Sequence, residues 1–336
     1  MSPTTPQRIL SGVQPSGLLH LGNYYGAMRQ HIALQDEGEA FYFIADYHAL
    51  TTVQDAGRLA ELVRDVALDY LALGLDPTKA TFFRQSDVPE VCELTWILST
   101  VTGMGLLERA TSYKDKIARG KTPRAGLFFY PVLMAADILA YRSNLVPVGK
   151  DQVQHLEMAR DIADAFHSAY GKEVFVRPDA RLDDEGAVVP GTDGQKMSKS
   201  YDNTIPLFAE GKPLKKRVMS IVTDSLGVDE PKDPESCNVY LIYKLVAERA
   251  AADEMRDRLA AGGYGYGDAK KALLAAIEER FAEARETRRA LAADPDRVEE
   301  VLVDGARRAR AQAAEQLARV REAVGMSSRS AGSPPT

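Results

Sequence analysis

The chain is expected to be an α/β protein: a Rossmann-like doubly wound parallel sheet with a C-terminal α-helical domain. Three observations lead there. Short apolar runs of β-formers alternate with helical stretches through the first half of the chain, the pattern of βαβ units and a parallel sheet. Beyond about Leu214 the strand pattern stops and only helical stretches remain. The 336 residues, 45% hydrophobic and 27% charged, are enough for two ordinary cores.

After a short polar leader, Arg8-Ile9-Leu10-Ser11-Gly12 reads as a strand entering a glycine-rich turn, with a helical stretch from about Asn23. The run Ala40-Phe41-Tyr42-Phe43-Ile44-Ala45 suits a strand buried on both faces. Helices are expected over 58–73, 90–100, 126–141 and from about 152 to 170, with strands over 80–84 and 145–148. The helical region divides into stretches over 216–222, 238–259, 268–292 and 295–324. Asp268 and Asp294-Pro295 are credible helix starts, and the glycines of 262–267 form a loop. The expected domains are 1–207, a Rossmann-like unit, and 208–326, an α-helical unit, with a disordered tail over 327–336 that has nothing to bury.

Net charge is −6, so a non-specific DNA-binding role is not expected, and any nucleic-acid contact must come from local patches. Candidates are Lys215-Lys216-Arg217 and Arg307-Arg308-Arg310, which could equally be the solvated faces of amphipathic helices. Cys92 and Cys237 lack metal-ligand spacing and read as reduced structural thiols, and no protein-held metal is expected. Neither the start of the chain nor any apolar run suggests a signal peptide or a membrane span. A cytoplasmic protein is therefore expected.

Two motifs carry the chemistry. Between the first strand and the first helix lies Ser11-Gly12-Val13-Gln14-Pro15-Ser16-Gly17-Leu18-Leu19-His20-Leu21-Gly22-Asn23. Backbone N–H groups and the positive end of a helix can hold phosphate there, although neither common phosphate-loop pattern is present. Further on, Gly191-Thr192-Asp193-Gly194-Gln195-Lys196-Met197-Ser198-Lys199-Ser200 forms a polar loop whose two lysines can neutralise charge moving toward a leaving group. Either alone would pass as an ordinary turn or solvated loop. Together, at opposite ends of one α/β unit, they point to a nucleotide.

The pair resembles the HIGH and KMSKS motifs of class I aminoacyl-tRNA synthetases, through His20-Leu21-Gly22-Asn23 and Lys196-Met197-Ser198-Lys199-Ser200. The GxQPSG run before His20, the run Met134-Ala135-Ala136-Asp137-Ile138-Leu139 and the run Val146-Pro147-Val148-Gly149-Lys150-Asp151-Gln152 resemble the tryptophanyl-tRNA synthetase family in particular. The similarity extends over most of the chain, leaving out the leader and the last ten residues.

That resemblance implies activation of L-tryptophan with Mg²⁺-bearing ATP, transfer to the 2′-hydroxyl of tRNA(Trp), and a homodimer. His20 and Asn23 are expected to contact phosphate near its α position, and Lys196 and Lys199 the departing pyrophosphate. The ATP set it implies is completed by Gln14, Pro15, Ser16, Gly22, Gly149, Lys150, Asp151, Val189, Met197, Ser198 and Ser200. Lys150 departs from a family that often has an acid there, and a cation cannot accept a ribose hydrogen bond as a carboxylate does. Lys116, in the charged segment Tyr113-Lys114-Asp115-Lys116, matches a family lysine near the phosphates, with a solvated face as the alternative. For tryptophan the resemblance implies Asp137 as indole acceptor, beside Met134, Tyr130, His48, Gly12, Gln14, Val146, Val148 and Gln152.

The residues themselves point the same way. Tyr130, Met134 and Asp137 stand at i, i+4 and i+7, so one helical face carries a ring, a soft apolar chain and a carboxylate. Indole needs apolar walls and one acceptor for its N–H. Asp46 and His48 follow the second strand and so lie at the carboxyl-end crevice. His31 and His167 read as helix-surface residues, and His155 as facing the site without a clear task. Tyrosine activation on the same scaffold and a non-catalytic paralogue are the competing readings. The intact motifs weigh against the second.

Overall fold

The computed structural model describes residues 7–111, 113–114, 124–149, 152–182 and 189–326. Lys116, Lys150, Asp151 and the 327–336 tail lie outside them. Five parallel strands form one sheet in the order β3-β2-β1-β4-β5: β1 (Arg8–Val13), β2 (Glu39–Ile44), β3 (Ala80–Arg84), β4 (Leu145–Val148) and β5 (Asp179–Leu182). β1 pairs with β2 from Arg8↔Glu39 to Val13↔Ile44, and with β4 at Ile9↔Leu145. The chain runs outward from β1 to β3, then crosses back to β4 on the other side. The topological switch point thus lies between β1 and β4, and a crevice opens beyond the carboxyl ends of those strands.

Both faces of the sheet are covered, which is why its strands are nearly continuous apolar runs. On one face Ile9, Tyr42, Ile44 and Phe82 join a core with the helical stretch 21–36 and with α1 (Ala56–Ala72). On the other, Leu10, Phe41, Phe43 and Phe83 pack with α2 (Glu90–Ser99), α3 (Ala125–Ala140) and α4 (Val153–Tyr170). The stretch 21–36 contains a π-helical turn, Tyr24–Met28.

The helical region is α5 (Gly211–Met219), α6 (Asn238–Val246), α7 (Arg249–Ala261), α8 (Tyr266–Arg280), α9 (Ala282–Ala293) and α10 (Pro295–Ala323). Residues of α5 to α8 share the core of the first sheet face. Three expectations need correction. The stretch 238–259 is two helices, broken where Ala247 and Glu248 turn extended. The stretch 268–292 also breaks, at Phe281, whose ring is 2% exposed and packs edge-on against Tyr24 at 5.3 Å. Neither break carries a proline or glycine signal; at Phe281 the buried ring marks it, while Ala247 is half-buried and Glu248 exposed. The helix expected over 216–222 runs instead over Gly211–Met219, with Pro213 in its first turn. β5 had no separate strand signal.

α10 returns to the sheet. Its Ala306, Ala309, Ala313, Leu317 and Val320 belong to the core of the second face. Gly305 lies directly against the backbone of β3, where a Cβ would stand 1.8 Å from the carbonyl oxygen of Phe82. Arg308 Nη2 donates to the carbonyls of Pro77 at 2.8 Å and Ala80 at 3.1 Å. The helix therefore covers an edge strand that would otherwise present unpaired carbonyls. Among the described residues no helix is long and apolar enough to cross a membrane.

Candidate active site

The first group of candidate residues begins at the end of β1. Gly12 is needed there: a Cβ would fall 2.4 Å from the Phe43 ring, so only glycine lets that ring cross the strand end. The chain then turns through Gln14 and Ser16, both exposed, and the buried Pro15 to His20, which is 5% exposed. Asn23 closes this turn, its Oδ1 accepting from the His20 backbone N–H at 3.3 Å. Burial first, and the Lys199 cation second, push the His20 pKa down to about 4. His20 is thus a neutral imidazole at neutral pH, and its Nδ1 has no partner among the described residues.

The lysine loop comes back to the same place. Leu21 N donates to Ile205 O and Leu207 N to Leu19 O, both at 3.0 Å, so the segment after the loop pairs with the turn around His20. Gly22 N donates to Met197 Sδ at 3.3 Å, and Lys199 Nζ to Ser16 O at 3.1 Å. Met197 and Val189 are buried, Ser198 is half-buried, and Lys196 and Ser200 are exposed. Asn203, 2% exposed, ties the loop together: its Oδ1 accepts from Ser198 N at 2.7 Å, and its Nδ2 donates to Asp193 Oδ1 at 2.7 Å and Lys196 O at 3.1 Å. The sequence reading passed over Asn203, and nothing local distinguishes it from any other loop asparagine.

A second group forms around Asp137, 1% exposed on α3. His48 Nε2 lies 3.0 Å from its Oδ2, and Gln85 Nε2 donates to Oδ1 at 3.0 Å and to Oδ2 at 2.8 Å. Burial raises the Asp137 pKa, while the bonds from His48 and Gln85 oppose that shift. The His48 ring meets Tyr130 edge-on at 6.1 Å, and the Tyr130 hydroxyl bonds His155 Nε2. Met134 is half-buried on the same helix and packs with the core that holds Val146 and Val148. Gly149 and Gln152 follow β4 and are exposed, with Gln152 N donating to Gly149 O at 2.9 Å. A cavity of about 780 Å³ is lined by His48, Tyr130, Leu50, Cys92, Phe129 and Leu133 among others. Gln85 and Asp46 also belong to this end of the sheet. Asp46 accepts from Ser86 N at 2.9 Å, Ser86 Oγ at 2.5 Å and Tyr47 N at 3.0 Å.

Two histidine assignments change. His31 is half-buried rather than on the open surface: Ser11 Oγ lies 3.0 Å from its Nδ1, its carbonyl accepts from the Tyr42 hydroxyl, and burial pushes its pKa down to about 4. His167 is half-buried, stacks on Phe175 and accepts from Phe175 N at 3.1 Å. On α10, Arg307 makes a surface ion pair with Asp304 and Arg310 one with Glu90, both arginine side chains staying more than half exposed, while Arg308 donates to the carbonyls of Pro77 and Ala80. Arg217 pairs with Asp202, while Lys215 and Lys216 remain exposed.

Comparison with known proteins agrees with this geometry. The family model "tRNA synthetases class I (W and Y)" matches residues 1–282. The chain is 56% identical to a tryptophan–tRNA ligase of Rhodopirellula baltica, over 95% of this chain and 99% of that one. It is 55% identical to a tryptophan–tRNA ligase of Fusobacterium nucleatum, over 95% and 98%. The crystal structure of tryptophanyl-tRNA synthetase from Campylobacter jejuni complexed with ADP and tryptophan superposes with a TM-score of 0.91 at 50% identity, covering 95% of this chain and all of that one. With the two motifs in contact at the sheet's switch point and relatives this near, the chain belongs to the class I tRNA synthetases of tryptophan and tyrosine.

Proposed function

We propose that this chain is a tryptophan–tRNA ligase whose crevice holds ATP at the His20 turn and tryptophan against Asp137. The tryptophan carboxylate attacks the α-phosphate in line, the bond to the β-phosphate breaks, and pyrophosphate leaves tryptophanyl-adenylate behind. The 2′-hydroxyl of the terminal adenosine of tRNA(Trp) then takes the acyl group and releases AMP. No protein nucleophile is needed, so the residues act by position and charge.

The observation that carries this reading is the contact between the two motifs, Lys199 Nζ at Ser16 and Met197 at Gly22, around a buried neutral His20. A neutral imidazole serves phosphate as a hydrogen-bond donor and leaves the charge work to Lys196 and Lys199. Lys199 already reaches the turn where phosphate would lie, so loop and turn can grip the nucleotide from two sides. Asn23 and the backbone N–H groups of the turn supply further donors, and Mg²⁺ enters with the phosphates of ATP. Asp137 accepts the indole N–H, and Tyr130, Met134, His48, Val146 and Val148 wall the ring.

A homodimer is the second part of the proposal. Trp96 is 70% exposed and Leu50 51% exposed, and Leu50 and Phe129 line the same cavity as Thr95. Large apolar side chains left this exposed suit burial against a second copy.

Tryptophan-dependent exchange of pyrophosphate into ATP tests the activity directly. The Lys199→Ala variant should lose roughly 10²–10³ in kcat, as for loss of one charge-stabilising donor, with the KM for tryptophan little changed. Exchange stimulated by tyrosine and not by tryptophan would overturn the substrate, and equal losses in kcat and affinity would remove Lys199 from its role.

A further inference from the structure

Asp137 reads an indole best while it stays ionised and keeps a lone pair facing the ring. Its own surroundings oppose the first condition, because burial favours the neutral acid. Three donor contacts reach the carboxylate from two side chains, and their distribution is uneven. Oδ2 receives both His48 Nε2 at 3.0 Å and Gln85 Nε2 at 2.8 Å, whereas Oδ1 receives Gln85 alone at 3.0 Å. Oδ1 therefore retains the acceptor capacity.

Gln85 is 1% exposed and follows directly on β3. Its amide cannot be turned over without loss: Tyr47 N donates to Oε1 at 3.1 Å, so Nε2 must be the end that meets Asp137. The same Tyr47 N–H also donates to Asp46 Oδ1 at 3.0 Å. A neutral amide thus links two buried carboxylates through one backbone donor, facing its positive end to Asp137. From this geometry we propose that Gln85 is the positioning residue for tryptophan selectivity, fixing Asp137 as an acceptor with Oδ1 presented to the indole N–H. The inference rests on the reading of Asp137 as the indole acceptor.

The test compares pyrophosphate exchange with tryptophan and with 3-(benzothiophen-3-yl)alanine, which carries sulfur in place of the indole N–H. The full-length chain and its Gln85→Leu variant are assayed, with Asp137→Ala as reference. Gln85→Leu should raise the KM for tryptophan roughly tenfold to a hundredfold, the worth of one hydrogen bond to a charged group, with kcat little changed. The KM for the sulfur analogue should move far less, so the preference for tryptophan shrinks. A purely structural defect would lower both substrates alike and leave their ratio intact. If Asp137→Ala erases the preference while Gln85→Leu preserves it, the role of Gln85 is overturned and the indole-acceptor reading survives. A preference that survives Asp137→Ala overturns both. Should Gln85→Leu not fold, Gln85→Asn keeps the amide one methylene short and is expected to show the same loss of preference.

Discussion

Two histidines, His20 and His31, have pKa values held at about 4 and are neutral where the enzyme works. In the unfolded chain each titrates near 6.5. Between those values the unfolded state binds more protons than the folded one, so their contribution is complete above pH 6.5 and is lost as pH falls toward 4. From pH 6.5 to 5 each should cost about 2 kcal/mol of stability. His31 has no assigned contact with either substrate, so its substitution tests this apart from the His20 turn, although its partner Ser11 adjoins Gly12. Urea unfolding of His31→Gln at pH 7 and pH 5 should show a pH loss smaller by about that amount. An unaltered loss would mean that another group drives acid sensitivity. At this scale the sequence was most legible where the chemistry is local. His20, Lys196, Lys199 and Asp137 stand in runs whose residue types announce a task. Gln85 and Asn203 do not, because each acquires its role from partners in folded space: Gln85 meets Asp137 across 52 positions. His31 misled for the same reason, since its helix carries no mark of the Ser11 hydroxyl that meets its ring.

Strands were legible as elements because burial on both faces writes a short unbroken apolar run, as in Glu39–Ile44 and Ala80–Arg84. The helical half was less so, and the break at Phe281 shows why: a chain with unbroken helical propensity turns because one ring is worth more against Tyr24 than in a continued turn. Gly305 in α10 tests the same competition between local preference and packing. In an exposed helix interior, alanine in place of glycine gains about 1 kcal/mol. Here the added methyl meets the Phe82 carbonyl, so Gly305→Ala should instead destabilise by about 1–3 kcal/mol. Denaturant titration of the variant decides the sign, and a gain in stability would show that α10 can lift from β3 at little cost.

For the molecule as a whole, fold class followed from the alternation of strands and helices, while the return of α10 to the sheet did not. Of its arginines, Arg308 is tied to the backbone at the start of β3, while Arg307 and Arg310 pair with Asp304 and Glu90 on the surface. Quaternary structure belongs to this scale too. If the proposed dimer buries Trp96, Trp96→Glu should shift sedimentation from dimer to monomer, because a carboxylate is costly to bury in an apolar contact. The cavity beside that surface reaches His48 and Tyr130, so the monomer should also show a weaker KM for tryptophan. A variant that sediments as the wild type does would place the interface elsewhere.

The seat of α10 on β3 bears on how the protein is made. A growing polypeptide on the ribosome exposes Phe82 and its strand long before Gly305 and Arg308 have been translated. During that interval the outer border of the sheet is open to pairing with any extended segment nearby. Fragments released before that last helix would carry the same open border, which makes them natural clients for chaperones and proteases.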